Sequence, residues 1–347
     1  MVLFRKPTVN PDWEGLLRNI RREGTPKRVY FFEHGIDRSM QAALAERFDL
    51  WRTIPENYPH VAALRTMHVH HFLGMEMMRI FPPGGRILAP TVSGGWAQEH
   101  RGPIGSWAEL ETYPLKRAED ADLSVLDFLD REMPETMRAF HVVSVWEAAR
   151  DLMGFEQICL NLIEQPDLVE ALLERITLFL EAVLRPCCDH PSFGAVYVAD
   201  DLGYKTALML SPELIRRYIL PRHQRLADLA HAKGKLFFLH SCGQVYELVN
   251  DFIQKLRLDV KHSFEDAVMP ITEAKRRYGT QMSLLGGMDV DLLARADERT
   301  IRERTRHILE VCQPGGGFCL GSGNGVTSYI LLDNDLAMHD EARRRVH

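Results

Sequence analysis

Short apolar runs alternate with amphipathic segments along the whole chain, and this alternation limits the possible folds more than any other feature. The predicted strands cover residues 28–33, 76–81, 140–146, 195–199, 235–239, 258–262, 283–285 and 317–321. The segments between them carry apolar residues at helical spacing. Strands that alternate with helices in this way predict either a closed (β/α)8 barrel or a large doubly wound sheet.

Local helix signals support this division of the chain. Ser211 and Pro212 form an N-cap and a proline at the first helical position. Another helix is predicted to begin near Pro166 and to end at Pro186. Because the connections between strands read as helices, we expect a parallel sheet.

Composition limits the classes of partner. The 347 residues are 46% hydrophobic and carry a net charge of -6, which argues against a nucleic-acid partner. No apolar stretch reaches the ~18–20 residues of a membrane span. The N-terminus lacks the apolar region of a secretory signal, so we expect a cytoplasmic protein. We predict a single domain over 1–347, with an N-terminal helical extension and an inserted hairpin and long loop near 82–122.

Polar side chains that can bind metals or carry protons follow most of the predicted strands. In a barrel, the carboxyl ends of the strands converge on one mouth, where active sites lie. The residues predicted to gather there are Glu33 with His34, Glu147, Asp200, Asp201, His240, Cys242, His262 with Glu265, Gly286, Gly287, Asp289 and Cys319. The sequence therefore predicts one polar site at the mouth.

Three of these residues form a candidate zinc site. His240 and Cys242 lie two residues apart, and Cys319 comes from a distant segment. One imidazole and two thiolates predict a site with three protein ligands and an open fourth position, which is a catalytic arrangement. Glu265 is the first candidate for a fourth ligand, and Asp201 is the second. Taken singly, His240 is also interpretable as a core histidine and Cys319 as a buried apolar residue.

The order of the motifs resembles that of the uroporphyrinogen decarboxylase superfamily. The motifs are Asp200-Asp201-Leu202-Gly203, Ser211-Pro212-Glu213, His240-Ser241-Cys242-Gly243, Leu285-Gly286-Gly287-Met288-Asp289 and Pro314-Gly315-Gly316-Gly317. The resemblance extends from about residue 28 to the C-terminus and implies a (β/α)8 TIM barrel. The superfamily has two chemistries. One removes carboxylates from a tetrapyrrole without a metal, and the other uses zinc to transfer methyl groups between a corrinoid and a thiol.

The chain resembles the second branch, that of the coenzyme M methyltransferases. The decarboxylases carry arginines at the end of their first strand that hold substrate carboxylates, whereas residues 32–38 here are acidic and lack the arginine pair. The methyltransferases carry His-x-Cys and a distant Cys as zinc ligands, and His240, Cys242 and Cys319 match these positions. The resemblance therefore implies a zinc-dependent methyltransferase in which the metal holds the acceptor thiol as a thiolate.

The resemblance also implies roles for the remaining mouth residues. Asp201, Glu33 and Glu147 would position the substrate or handle its proton. Asp200, Gly287 and Asp289 would contact the cofactor. Alternative interpretations are a helix cap or a salt bridge to a barrel arginine for Asp200 and a tight strand-to-loop passage for Gly287.

A partner protein is expected to carry the methyl-corrinoid, because the chain has no Asp-x-His-x-x-Gly element. The small-molecule methyl donor or acceptor stays open, as does assembly into a homodimer. Two other functions are alternatives. The first is a metal-free carboxy-lyase like uroporphyrinogen decarboxylase, and the second is a corrinoid- or metal-binding accessory protein.

Overall fold

The strands form one curled parallel sheet. The computed structural model describes residues 9–85, 87 and 101–344. The strands are β1 (Met77–Ile80), β2 (Arg138–Val143), β3 (Phe193–Ala199), β4 (Leu236–His240), β5 (Val260–His262), β6 (Ser283–Met288) and β7 (Phe318–Ser322). Each strand pairs in parallel with the next one along the chain. This order places all the carboxyl ends of the strands on the same edge of the sheet.

Helices precede the sheet and connect its strands. The α-helices are α1 (Trp13–Ile20), α2 (Arg38–Phe48), α3 (Val61–Leu73), α4 (Trp107–Thr112), α5 (Ser124–Glu132), α6 (Trp146–Met153), α7 (Phe155–Glu164), α8 (Pro166–Cys187), α9 (Pro212–Leu214), α10 (Leu220–Ala232), α11 (Val249–Gln254), α12 (Ile271–Tyr278), α13 (Val290–Arg295), α14 (Glu298–Cys312) and α15 (Leu332–Arg343). A π-helical turn, Ile215–Ile219, links α9 to α10, and 3-10 turns cover Ala118–Asp120 and Tyr246–Leu248. Ser211 caps α9 by accepting a hydrogen bond from the amide of Leu214, as its N-cap pattern predicts. Within the described residues, none of these helices is long and apolar enough to cross a membrane.

The predicted first strand, residues 28–33, does not form a regular strand. Phe31 makes an isolated parallel bridge to Leu320 of β7. On the other side, the link to the region of β1 runs through the Arg28 side chain, which donates to the Glu76 carboxylate at 2.9 Å and to the carbonyl of Gly74 at 3.2 Å. Side-chain bonds take the place of a backbone ladder there. The structure therefore shows a curled seven-stranded sheet, and a closed eight-stranded barrel is not confirmed.

The inner, concave side of the sheet is closed at its amino end by α1. Asp12 caps this helix by accepting from the amide of Gly15. Trp13, Leu16 and Ile20 pack into an inner cluster with aromatic side chains of the strands. Burial of each such side chain contributes roughly 1.5–3 kcal/mol to folding. The carboxyl end of the sheet carries the polar residues.

The predicted domain features are described only in part. Residues 86 and 88–100 of the predicted insertion lie outside the described residues, as do residues 1–8 and 345–347. The described part of the insertion contains α4, and the chain N-terminal to the sheet contains α1, α2 and α3.

Candidate metal centre

The ends of two neighbouring strands bring Asp201, His240 and Cys242 together. His240 is the last residue of β4, Cys242 lies two residues beyond it, and Asp201 follows the end of β3. His240 Nε2 lies 3.4 Å from Cys242 Sγ and 3.6 Å from Asp201 Oδ1. Asp201 Oδ1 also accepts a hydrogen bond of 2.8 Å from the amide of Cys242. The three donor atoms lie within 4.8 Å of one another, so nitrogen, sulfur and oxygen donors meet in one place.

Hydrogen bonds around His262 determine which nitrogen of His240 carries the proton. His262 Nε2 lies 3.3 Å from the backbone oxygen of Ser322, which can only accept, so we assign the hydrogen to Nε2. His262 Nδ1 is therefore an acceptor, and it lies 2.9 Å from the Tyr197 hydroxyl and 2.8 Å from His240 Nδ1. His240 consequently donates through Nδ1 and keeps its Nε2 lone pair. That lone pair is on the nitrogen nearest Asp201 and Cys242.

Burial keeps the imidazoles of this group neutral. It lowers the pKa of His240 to about 3, with smaller contributions from the charges of Lys261 and Arg79. Burial also holds the pKa values of His34 and His262 well below the usual histidine range. A neutral imidazole is the form that binds metals, so this environment favours ligation by His240.

His34 packs against the rings of His240 and His262. Its ring stacks on His240 with centroids 4.6 Å apart and on His262 at 5.9 Å. His34 Nε2 lies 3.5 Å from Arg79 Nη1. The donor atoms of His34, His240 and His262 also lie within 4.8 Å of one another. Because Nδ1 of His240 is engaged with His262, we interpret the histidine group as the support that orients His240.

Charges near Cys242 act on its thiol in opposite directions. Burial raises the pKa of Cys242 well above its ordinary value, and the Asp201 carboxylate raises it further. Lys261, fully buried, donates to the backbone oxygens of Ser263 at 2.8 Å and Ser241 at 3.3 Å. Burial lowers the pKa of Lys261 to about 8. The thiol needs a nearby cation to ionise at neutral pH.

Cys319 does not lie with His240 and Cys242, in contrast to the zinc trio predicted from the sequence. It is the second residue of β7, whereas the polar edge of that strand begins at Ser322. Cys319 packs in the inner apolar cluster, where the amide of Asn19 in α1 lies 3.6 Å from its sulfur. It therefore lies toward the end of the sheet that α1 closes.

Asn324 lies where the third ligand was expected. Its side-chain nitrogen is 3.5 Å from Cys242 Sγ. Asn324 is not among the residues predicted from the sequence, and His34 and His262 are predicted only as strand-end residues. The available signal was position, because Asn324 follows the carboxyl end of β7 whereas Cys319 is near its start.

Glu33 points away from this site, which corrects its predicted place at the mouth. Side chains alternate across a strand, and in this segment Phe32 belongs to the inner cluster. Glu33 therefore faces the outer helices, where its carboxylate accepts hydrogen bonds from the amide and hydroxyl of Ser322. His34, the next residue, is the one that reaches the site.

Three residues predicted to contact a cofactor have structural partners. Asp200 accepts from the amides of Val145 and Glu147 at 3.0 and 2.9 Å and pairs with His223 at 2.7 Å. Asp289 caps α13 and also accepts from the amide of Asp266 at 3.0 Å. At Gly287, a Cβ would lie 2.5 Å from the Ile271 side chain of α12. Asp200 thus holds the amides at the start of α6, and its side-chain partner is a histidine rather than the barrel arginine of the alternative interpretation.

The acidic residues Glu147 and Glu265 lie at the edge of the centre. Burial raises the pKa of Glu147 to about 7, and the nearby Asp200 and Asp201 carboxylates oppose its ionisation. Its carboxylate accepts a 2.6 Å hydrogen bond from Arg150. Glu265 lines a cavity of about 540 Å³ together with Asn324, and its charge contributes to the raised pKa of the Cys242 thiol.

Comparison with known families identifies the family of the chain. A profile described as uroporphyrinogen decarboxylase (URO-D) matches residues 111–345, which include every strand except β1. The chain belongs to the uroporphyrinogen decarboxylase family. The superfamily predicted from the sequence is therefore confirmed.

Two methyltransferases from Methanosarcina mazei are similar to this member of the family. The methylated-thiol–coenzyme M methyltransferase is 26% identical over 241 residues, which are 67% of this chain and 61% of that protein. The chain thus matches less than two thirds of the length of that relative. A solved structure described as a methyltransferase superposes with a TM-score of 0.67 at 17% identity, covering 96% of this chain and 99% of that one. These relatives support the methyltransferase-like branch of the superfamily.

Proposed function

We propose that this protein is a zinc-dependent methyltransferase that moves a methyl group between the corrinoid of a partner protein and a thiol or another small acceptor. The observation that carries the proposal is the meeting of Asp201, His240 and Cys242, with the lone pair of His240 on Nε2. The similarity to the methylated-thiol–coenzyme M methyltransferase supports the same reaction class.

The donor set of the centre fits zinc. Imidazole nitrogen, thiolate sulfur and carboxylate oxygen are the ligands that zinc takes in proteins. A carboxylate from Asp201, a thiolate from Cys242 and a neutral His240 together carry two negative charges, which balance the ion. Asp201 thus supplies the negative charge that was expected from Cys319. Zinc would supply the positive charge that keeps a bound acceptor thiol as a thiolate.

The fourth position is the place for the acceptor. We propose Glu265 as the protein ligand that occupies it before the acceptor binds, since Glu265 lines the adjoining cavity. Asn324 borders the same cavity and reaches Cys242. Asn324 therefore connects the cavity of about 540 Å³ with the donor group, although none of the three donor residues lines that cavity.

Glu147 is the proposed acceptor of the substrate proton. Its pKa of about 7 gives a carboxyl group that exchanges a proton readily at neutral pH. Arg150 holds the carboxylate in place through its hydrogen bond. Asp201 would position the acceptor, and His34 would form one wall of the site through its stacking on His240.

Cobalt substitution of the purified protein tests the proposed centre. Co²⁺ bound by a cysteine thiolate gives an intense charge-transfer absorption, whereas Co²⁺ bound only by oxygen and nitrogen does not. We expect this absorption in the wild type, its loss in Cys242→Ser, and its retention in Cys319→Ser. Cys319→Ser is the matched control, because it removes a thiol that lies outside the centre.

Activity is measured as demethylation of methylcobalamin in the presence of small thiols. We expect turnover by the zinc-loaded wild type and by Cys319→Ser, with a loss of at least about 100-fold in Cys242→Ser. A charge-transfer band that survives in Cys242→Ser would contradict the assigned ligands. A metal-free protein that decarboxylates uroporphyrinogen would instead establish the carboxy-lyase alternative.

A further inference from the structure

A second group of candidate ligands lies on the outer side of the sheet. It consists of Glu33, which follows the segment bridged to β7, and of Asp335 and His339 on α15. Asp335 and His339 are four residues apart on the helix, so their side chains share one face. One donor atom from each of the three residues lies within 4.8 Å of the other two. The group is built by two elements that are distant in the sequence.

All three side chains are buried, and several of their polar atoms have no partner. The exposed fraction is 1% for Glu33, 1% for Asp335 and 0% for His339. Among the described residues, neither ring nitrogen of His339 has a hydrogen-bond partner, and neither has Asp335 Oδ1. Buried polar groups are nearly always satisfied by protein, water or an ion. The unpartnered atoms therefore indicate a missing occupant.

The charges of the group are compatible with a cation as this occupant. Burial raises the pKa of Glu33 to about 8, with the Asp335 carboxylate as the next cause, and burial raises the pKa of Asp335 to about 7. Two carboxylates this close repel each other unless a proton or a cation lies between them. Burial also keeps His339 neutral by lowering its pKa, so that its lone pair is free.

The guanidinium of Arg343 lies near this group but interacts with other partners. Arg343, one turn beyond His339 on α15, donates to the carbonyl of Leu73 at 3.0 Å and lies over the Phe31 ring at 5.5 Å. Its charge lowers the pKa of Asp335, but the pKa remains above the usual range because burial is the larger effect. Arg343 therefore does not replace an ion between the carboxylates.

We propose that Glu33, Asp335 and His339 form a second divalent-cation site, distinct from the Asp201–His240–Cys242 centre, that takes Zn²⁺. Two carboxylates and a neutral imidazole balance its charge, and these are zinc ligands. Ser322 holds the Glu33 carboxylate through its amide and hydroxyl, which is the kind of support that orients metal ligands.

The proposed ion would stabilise the end of β7 on the side of the sheet opposite the Asp201–His240–Cys242 centre. The backbone oxygen of Ser322 accepts the His262 hydrogen bond that orients His240. Glu33, through Ser322, thus connects the outer group to the inner one. The ion would be a structural and positioning element, and the proposal stands whether or not the inner centre performs methyl transfer.

Equilibrium dialysis with Zn²⁺ alone tests the second site. The background is Cys242→Ser, which removes the thiolate of the inner centre. We expect a bound Zn²⁺ in this variant that is lost when His339→Phe is added, because phenylalanine keeps the ring against Phe31 and removes both nitrogens. Asp333→Asn is the matched control, since Asp333 lies on the same helix with an exposed carboxylate.

Thermal unfolding shows whether each variant folds, and the change in Tm on addition of Zn²⁺ reports binding separately. Zn²⁺ should raise the Tm of Cys242→Ser and of the Asp333→Asn control but not that of the His339→Phe combination. Glu33→Gln should weaken Zn²⁺ binding at least tenfold. Equal Zn²⁺ content with and without His339→Phe, or no bound Zn²⁺ in Cys242→Ser, would overturn the proposal and leave ordered water as the occupant. Failure of the methyltransferase proposal alone would show only in the cobalt charge-transfer band and in turnover.

Discussion

His262→Leu is expected to weaken metal binding at the Asp201–His240–Cys242 centre, although His262 itself is not a proposed ligand. The substitution removes the acceptor that lies 2.8 Å from His240 Nδ1. His240 is 6% exposed, so water cannot readily replace that acceptor. The hydrogen is then free to shift to Nε2, where it blocks the lone pair that faces Cys242.

The expected magnitude follows from the cost of an unpaired buried donor. Leaving a buried N–H without an acceptor costs about 1–3 kcal/mol, which corresponds to roughly 5- to 150-fold in a binding constant. Supporting hydrogen bonds to metal-bound histidines typically contribute about 10- to 100-fold in affinity. The two estimates agree, so we expect a loss of about one to two orders of magnitude in zinc affinity.

His262→Asn is the matched control for this prediction. The side-chain oxygen of asparagine takes nearly the position of Nδ1 and can still accept from His240. Zinc affinity is measured at neutral pH by competition with a chromophoric chelator, after thermal unfolding has shown that both variants fold. We expect His262→Asn to retain most of the affinity that His262→Leu loses. If both variants bind zinc as the wild type does, or both lose it equally, the assigned hydrogen-bond relay is wrong.

Three further predictions concern stability and reactivity. Gly287→Ala should lower the free energy of unfolding by more than about 2 kcal/mol, because Gly287 has a φ of +103° and a Cβ there would lie 2.5 Å from a side chain of α12. Gly315→Ala is the control, since Gly315 has a φ of +77° but open space around it, so that this substitution should cost only the backbone strain. Equal losses of the two variants in chemical denaturation would contradict the packing argument. Burial raises the pKa of Glu76 from 4.5 to about 8 despite its ion pair with an arginine. The free energy of unfolding should therefore fall as the pH rises from about 5 to about 8. Glu76→Gln should reduce this pH dependence in denaturant titrations. Lys261→Met should slow alkylation of Cys242 in the metal-free protein, because the lysine charge favours the thiolate. The rate is measured by mass spectrometry of the modified peptide. Unchanged alkylation would mean that the ammonium group of Lys261 does not act on this thiol.

The sheet was largely predictable because its signals are local. Apolar runs between helical segments located β1 to β7 within a few residues, and the period of the pattern separates strands from helices. The segment 28–33 has the same local signal but pairs through one bridge only. Whether a strand completes its ladder depends on the neighbour that the tertiary structure gives it, and local composition cannot report that neighbour.

The candidate site was predictable in part, for a related reason. His240, Cys242 and Asp201 were identified because residues just after parallel strands meet at one edge. Cys319 was assigned to the same site from its spacing, but spacing does not tell whether a residue begins or ends its strand. Asn324, without a distinctive side chain, carried no signal except its position after β7.

The order of secondary-structure elements, the side of the sheet that carries polar groups and the family resemblance are all present in the linear sequence. They rest on periodicity and on the rule that parallel strands share a direction. Tertiary packing decides three other properties. These are the sides of the sheet to which Glu33 and His34 point, the hydrogen-bond partner of Cys319 and the ring nitrogen of His240 that carries the proton. Each depends on residues tens to hundreds of positions away, because burial and hydrogen bonding are properties of the surroundings that folding assembles.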